Sequence, residues 1–193
     1  MYQPAAFRND DPDVHRAVID AYPFATLVTA AGGVPYASHL PFLFDGDAIV
    51  GHLARANPQG RLFEAGRGGG EAMVVFNGPH AYVSPRWYAS EPQVPTWNFV
   101  AVHVYGVPEL VDPLPIVRRL SARFDPDWRM DEAFVDSLLG AIVGVRIPLT
   151  RVEGKLKLSQ NRSPADAEGA RAGLSAGGEE ERAVAAWMGR WMG

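Results

Sequence analysis

Between Phe24 and Leu53, short apolar runs follow one another with nothing but tight turns between them. Phe24-Ala25-Thr26-Leu27-Val28-Thr29 is β-branched and apolar, and Gly32-Gly33 closes it. Tyr36 to Phe44 returns as the second strand of a hairpin, Asp45-Gly46-Asp47 turns again, and Ala48 to Leu53 forms a third strand. The same grammar recurs further on. Ala72 to Phe76 and Ala81 to Ser84 flank Asn77-Gly78-Pro79, Asn98 to Val107 reads as a strand buried on both faces, and Ile142 to Ile147 and Val152 to Leu158 supply the last strands. Helices are few. Asp11-Pro12 opens a short amphipathic one that Pro23 ends. Asn57-Pro58 opens another that Gly68-Gly69-Gly70 breaks, and Pro115 to Phe124, Asp131 to Leu139 and Glu179 to Met192 have helical spacing. The proline-rich segment Ser84 to Pro95 predicts an ordered surface loop, and Ala165 to Gly178 predicts a linker. Short strands without regular βαβ alternation predict a small β-barrel of the α+β class. A dinucleotide-binding Rossmann fold is excluded by the same pattern, since no strand leads into a G-x-G-x-x-G turn.

The bulk composition narrows the function classes. At 193 residues, against about 100–200 per domain, one domain is expected, and 47% hydrophobic with 21% charged residues is a composition that folds. A net charge of −4 without a Lys/Arg stripe disfavours direct nucleic-acid binding. Cysteine is absent, which removes disulfides, thiolate metal sites and thiol chemistry and fits a reducing compartment. The N-terminus has no basic region followed by an apolar run, and no stretch is long and apolar enough to span a bilayer. The expectation is a cytoplasmic protein with no membrane contact.

Among candidate chemical groups, His39, His52, His80 and His103 are scattered over strands, without His-x-His or His-E-x-x-His spacing, so no metal site is expected. The segment His52 to Arg61 is more informative. A strand ending in small residues and entering a helix at Asn57-Pro58 offers donors suited to a phosphate, with Asn57, Gln59 and Arg61 adding side-chain groups; an ordinary capped helix would look the same. Trp97-Asn98 offers a stacking face beside an amide, or alternatively a core tryptophan. Lys155, Lys157, Gln160, Asn161 and Arg162 form a basic close to the last strand, either a solvated edge or an anion contact. No nucleophile–base–acid arrangement emerges, because Ser84 and Ser159 lack a G-x-S-x-G setting.

Several blocks, taken in order, resemble one family. They are Met1-Tyr2-Gln3-Pro4, Ser38-His39-Leu40-Pro41, and Gly51-His52-Leu53-Ala54-Arg55-Ala56-Asn57-Pro58-Gln59. With them go Phe76 to Ser84, Val94-Pro95-Thr96-Trp97-Asn98-Phe99 and Lys157-Leu158-Ser159-Gln160-Asn161-Arg162. Together these resemble the PaiB-like FMN-binding negative transcriptional regulators, over residues 1–162. The resemblance implies a split β-barrel related to pyridoxamine-phosphate oxidases, with peripheral helices, forming a homodimer that builds FMN sites across its interface. Residues 163–193 then follow as a C-terminal linker and helix on the same domain. By this analogy Ser38, His39 and Leu40 contact the flavin from one strand, and His52, Ala54, Asn57 and Pro58 from the next strand and helix start. Trp97, Asn98, Gln160 and Arg162 approach from the partner chain. The segment around His39 lacks the Arg and Lys that many oxidase relatives use to hold the phosphate.

The resemblance leaves three functions in view. One is an FMN-binding regulator acting through flavin or a partner protein, with no dedicated DNA-binding motif. The second is an FMN-dependent oxidoreductase acting on a small substrate, in which the cofactor carries the chemistry. The third is a haem-binding or haem-degrading split barrel, with His39, His52 or His103 as axial ligand.

Overall fold

A computed structural model describes residues 1–66, 70–129 and 131–191, with the backbone alone for Ala31 and Glu132. Along the chain lie β1 (Arg8–Asn9), α1 (Pro12–Ala21), β2 (Phe24–Ala31), β3 (Val34–Pro41), β4 (Leu43–Asp45), β5 (Ala48–Ala54), α2 (Pro58–Glu64) and β6 (Ala72–Val83). A 3-10 turn at Pro85–Trp87 follows. Then come β7 (Thr96–Gly106), β8 (Glu109–Val111), α3 (Pro113–Phe124), α4 (Glu132–Leu139), β9 (Ile142–Pro148), β10 (Arg151–Lys157), α5 (Pro164–Ser175) and α6 (Glu179–Trp191).

The internal contacts divide the chain into two compact units. One comprises Ile19–Phe76 and His103–Val152. In it β2 pairs with β3 from Phe24↔Pro41 to Ala31↔Val34 and with β6 at Leu27↔Val74, all antiparallel, so β3 is an edge strand. A second sheet in this unit has the order β4-β5-β9-β8. Against it packs α3, whose Ile116 and Leu120 bury with Leu43 and Val50. The chain enters that second sheet at Phe42, which is fully buried beside Phe76 and takes its backbone N–H to the Pro23 carbonyl. That break corrects the single strand expected from Tyr36 to Phe44. The apolar run is continuous, but its two halves belong to different sheets.

The other unit comprises Met1–Val18, Asn77–Val102 and Glu153–Gly193, and its strand order is β1-β10-β7-β6. The two-residue β1, which pairs Arg8↔Lys155 and Asn9↔Gly154, and the three-residue β8 are too short to carry a sequence pattern. The two strands expected around Asn77-Gly78-Pro79 are one strand, β6. An Asn-Gly hairpin turn needs positive φ, and Gly78 is not among the positive-φ glycines. Its missing Cβ serves a close approach instead, since a Cβ there would lie 3.0 Å from that of Val100.

The expected linker from Ala165 is also overturned. Ser163 caps α5 by accepting from the Asp166 N–H at 3.2 Å, Pro164 fills its first turn, and alanine, the strongest helix former, supplies much of the rest. Gly169 and Gly173 look like flexibility in sequence but form a groove. A Cβ at Gly173 would lie 2.3 Å from the Trp87 ring, so the 3-10 turn can seat only on bare backbone. Asp166 completes this junction by accepting from the N–H groups of Ala89 (2.8 Å) and Ser90 (2.9 Å) and from the Ser90 hydroxyl (2.7 Å). The helix expected to Met192 is described to Trp191, and Gly68, Gly69 and Met192 lie outside the described residues.

Candidate functional site

The predicted phosphate corner forms where β5 enters α2. Asn57 is extended (φ −61, ψ 133), and its Oδ1 accepts the Gln59 N–H at 2.9 Å, a helix cap. The other end of the same amide donates from Nδ2 to Ser38 Oγ at 2.8 Å, so the sequence-distant Ser38 and Asn57 are brought together. This leaves usable donors. Ser38 accepts from Asn57, so its own O–H is open to a ligand, and Asn57 Nδ2 carries a second hydrogen.

The corner is held from three sides. Arg55 donates to the carbonyls of Gly140 (2.7 Å) and Ile142 (3.2 Å) and pairs with Glu64. Gln59, fully buried, donates from Nε2 to the Leu27 carbonyl (3.2 Å), Thr29 Oγ1 (3.0 Å) and the Tyr36 carbonyl (3.2 Å), pinning the corner to the β2–β3 hairpin. These bonds offset the cost of burying the amide nitrogen, whereas Gln59 Oε1 has no hydrogen-bond partner among the described residues. A polar residue just inside a helix cap is the one sequence signal of this pin.

The remaining residues predicted in this unit differ in what they offer. His39 is exposed on the edge strand, its Nδ1 3.0 Å from Thr26 Oγ1 and its ring stacked on Phe24 at 6.4 Å. Leu40 is 4% exposed, so only its backbone is available. His52 is half-buried on β5, and burial pushes its pKa below 6.5, which keeps the ring neutral; its Nδ1 has no hydrogen-bond partner among the described residues. Ala54 and Pro58 are exposed and flank the turn. Arg61, on the outer side of α2, makes no ion pair among the described residues. An orphaned histidine nitrogen, a free hydroxyl, a spare amide hydrogen and an unpaired guanidinium suit a phosphorylated, hydroxyl-rich ligand, so these residues fit FMN.

In the other unit the predicted residues split over two environments. Trp97 is 53% exposed, stacks on His80 at 6.0 Å (28°) and meets the Tyr82 ring edge-on at 6.3 Å. The Trp97 and His80 rings border a cleft of about 360 Å³ that Asn77, Gly78, Phe99 and Val100 also line. Asn98, one residue on, points the opposite way. It is 1% exposed and donates from Nδ2 to Ser159 Oγ (3.0 Å) and Met188 Sδ (3.5 Å). Gln160 turns back on its own strand, accepting from the Leu158 N–H (2.7 Å) and donating to the Leu156 carbonyl (2.6 Å). Ser159 sits at φ 69, the left-handed region that L-residues seldom adopt, and marks the sharp turn out of β10. Arg162 donates to Gln93 Oε1 at 2.5 Å and lies 4.8 Å from the Tyr88 ring centroid. Among the described residues no helix is long and apolar enough to cross a membrane, and no three potential metal-ligating side chains gather.

The family model described as "Putative FMN-binding domain" matches residues 1–151. The chain belongs to this family of FMN-binding domains. It is also 35% identical over 180 residues to the protease synthase and sporulation protein PAI 2 of Bacillus subtilis, covering 86% of this chain and 85% of that one. The PaiB-like resemblance carried by residues 1–162 is thus borne out, and FMN is the family's cofactor.

Solved structures agree on the fold. The FAD and heme binding protein of Mycobacterium smegmatis matches with a TM-score of 0.63 at 21% identity, over 78% of this chain and 73% of that one. The flavocytochrome Anf3 of Azotobacter vinelandii matches with a TM-score of 0.63 at 19% identity, over 92% and 75%. The FMN-binding chain therefore has the split-barrel, α+β fold that the sequence resemblance implied.

Proposed function

We propose that FMN sits at the corner of β3, β5 and α2, with its phosphate toward Ser38 and Asn57, and that the flavin-loaded protein is a regulator acting through its flavin or a partner protein. The observation that carries this is the Ser38–Asn57 hydrogen bond at 2.8 Å, which joins two separate family-like blocks and leaves both side chains with a hydrogen to donate. His52, neutral and with an unpartnered Nδ1, adds a group that can bond to the cofactor without carrying charge. His39, the Leu40 backbone, Ala54 and Pro58 complete the wall. When bound, FMN supplies the redox chemistry, and these residues bind and orient it.

A second copy of the chain completes the site, bringing its Trp97 ring with Gln160 and Arg162 at the margin, whereas Asn98 supports Trp97 from within. Exposed Phe24 (67%), Val34 (69%) and Tyr36 (41%) on the β2–β3 hairpin favour such a dimer, because exposed apolar side chains on an edge hairpin gain from being covered. The regulatory role is favoured by the likeness to PAI 2. Its route through a partner is favoured by the net charge of −4 and by the lack of a Lys/Arg stripe in the sequence. The absence of cysteine fits the cytoplasm.

The test is purification followed by denaturation and light scattering. One FMN released per protomer and a mass of two chains are expected. A protein that takes up no flavin on reconstitution, or that stays monomeric when loaded, refutes the site as drawn.

A further inference from the structure

The proline-rich loop between β6 and β7 carries a cleft of about 350 Å³, lined by Pro85, Arg86, Glu91, Pro92 and Gln93. That volume lies within the range of about 300–1,000 Å³ for small-molecule sites. The four residues between Arg86 and Glu91 are all fixed in place. The Trp87 ring seats on the bare backbone of Gly169 and Gly173, and Tyr88 is buried. Ala89 and Ser90 are held by the Asp166 carboxylate through two N–H groups and the Ser90 hydroxyl. Pro85-Arg86 and Glu91 to Gln93 leave this anchored segment as two arms, each tied back in turn. Arg86 donates from its N–H (3.3 Å) and Nε (3.4 Å) to Ser84 Oγ. Gln93 donates from Nε2 to Ser90 Oγ at 2.8 Å, and its Oε1 accepts from Arg162, so its amide forms wall and is engaged at both ends.

The two charges that line the cleft do not meet. Both Nη groups of Arg86 are without a partner among the described residues, and so is the Glu91 carboxylate. Opposite charges held apart across one cleft select their ligand by charge pattern. A lone anion drawn to Arg86 is repelled by Glu91, and a lone cation drawn to Glu91 is repelled by Arg86. A ligand with both charges answers both groups at once. The planar guanidinium fork matches a carboxylate bidentately, and a carboxylate accepts from an ammonium. Pro85 and Pro92 add apolar ring surface to the same cleft.

We propose that this loop cleft binds a small zwitterion of the amino-acid class, with its carboxylate on Arg86, its ammonium on Glu91 and its side chain against the rings of Pro85 and Pro92. This goes beyond the flavin reading, and no residue lining the cleft belongs to the FMN corner or to its margin. Two sources carry the chemistry, a free α-amino acid and a short peptide, which differ in how far apart their charges lie.

Ligand-observed NMR titrations of the purified protein test it. L-leucine is compared with leucinamide, which lacks the anion, and with N-acetylleucine, which lacks the cation. Glycyl-leucine is compared with its own amide and N-acetyl forms. Charge-assisted hydrogen bonds make a preference of about tenfold for the zwitterion the expected result in the wild type. Arg86→Gln should level the zwitterion with the amide while keeping it ahead of the N-acetyl form, and Glu91→Gln should do the reverse. Tighter binding of glycyl-leucine than of leucine assigns the cleft to peptides, and the opposite order assigns it to free amino acids.

A wild type that binds neither zwitterion at about 10 mM, or that does not prefer it over the amide and N-acetyl forms, overturns the proposal. So does a preference that survives the variant aimed at it. Both side chains are exposed, so the variants should melt with the wild type, and Arg86→Lys and Glu91→Asp should keep the preferences as charge-keeping controls. None of these substitutions should change the amount of FMN bound, so failure of the flavin site and failure of this cleft give different results.

Discussion

Asn57→Asp separates the two jobs of the Asn57 side chain. Aspartate caps a helix as well as asparagine, and its carboxylate can still accept the Gln59 N–H and a hydrogen from Ser38, so the fold should be nearly untouched. What changes is charge. Two like unit charges about 6 Å apart repel by about 3 kcal/mol at an effective dielectric of about 20. Asn57 is half-buried at the protein surface, and screening there reduces this to about 1–2 kcal/mol. That corresponds to a loss of about 5- to 30-fold in FMN affinity.

Riboflavin, which lacks the phosphate, should bind Asn57→Asp as it binds the wild type. Asn57→Ala shows the opposite profile. It removes a cap worth about 1 kcal/mol and a hydrogen bond to Ser38 worth about 0.5–1.5 kcal/mol. At about 2–4 °C per kcal/mol for a chain of this size, its melting temperature should fall by about 3–10 °C. Flavin fluorescence titrations and thermal melts measure both. If Asn57→Asp binds FMN within twofold of the wild type, or if riboflavin weakens as much as FMN, the phosphate does not face Asn57.

Two further perturbations probe the C-terminal helices. Gly173→Ala places a methyl group 2.3 Å from the Trp87 ring, and overpacking of this kind should cost about 1–3 kcal/mol in denaturant melts; a neutral result would mean that the Trp87 turn is not seated on α5. Hydrogen bonds, first of all from the Ser90 hydroxyl, hold the Asp166 carboxyl below its usual 3.8. A depressed folded-state pKa gives stability that is complete above the unfolded value and lost as pH falls through the folded one. The wild type should therefore out-melt Asp166→Asn at pH 7 and lose that lead below about pH 3.8. A lead that persists unchanged at lower pH removes the carboxylate from the account.

The blocks that carry the family resemblance needed no coordinates. Ser38-His39-Leu40-Pro41, the run from Gly51 to Gln59, and Trp97-Asn98 are local, and alternation, caps and turn residues also set most strand and helix positions. These signals survive in sequence because they act over a few residues, where backbone conformation and side-chain periodicity are decided.

Everything that depends on which surface meets which was decided by tertiary structure. Local chemistry at Asn77-Gly78 spells a turn, yet Gly78 packs closely against Val100 and Ala72–Val83 is one strand, β6. Ala165 to Gly178 spells a linker, yet two glycines form the groove that Trp87 requires, and the segment becomes α5. The candidate site follows the same division. Sequence supplied Asn57, Ser38 and Trp97, whereas the buried amide of Gln59, the Ser38–Asn57 bond and the inward turn of Asn98 exist only once distant segments are packed. The reason is physical. A hydrogen bond or a packed ring between residues far apart in the chain leaves no period and no motif, because the free energy that selects it comes from burial, and burial is a property of the folded whole.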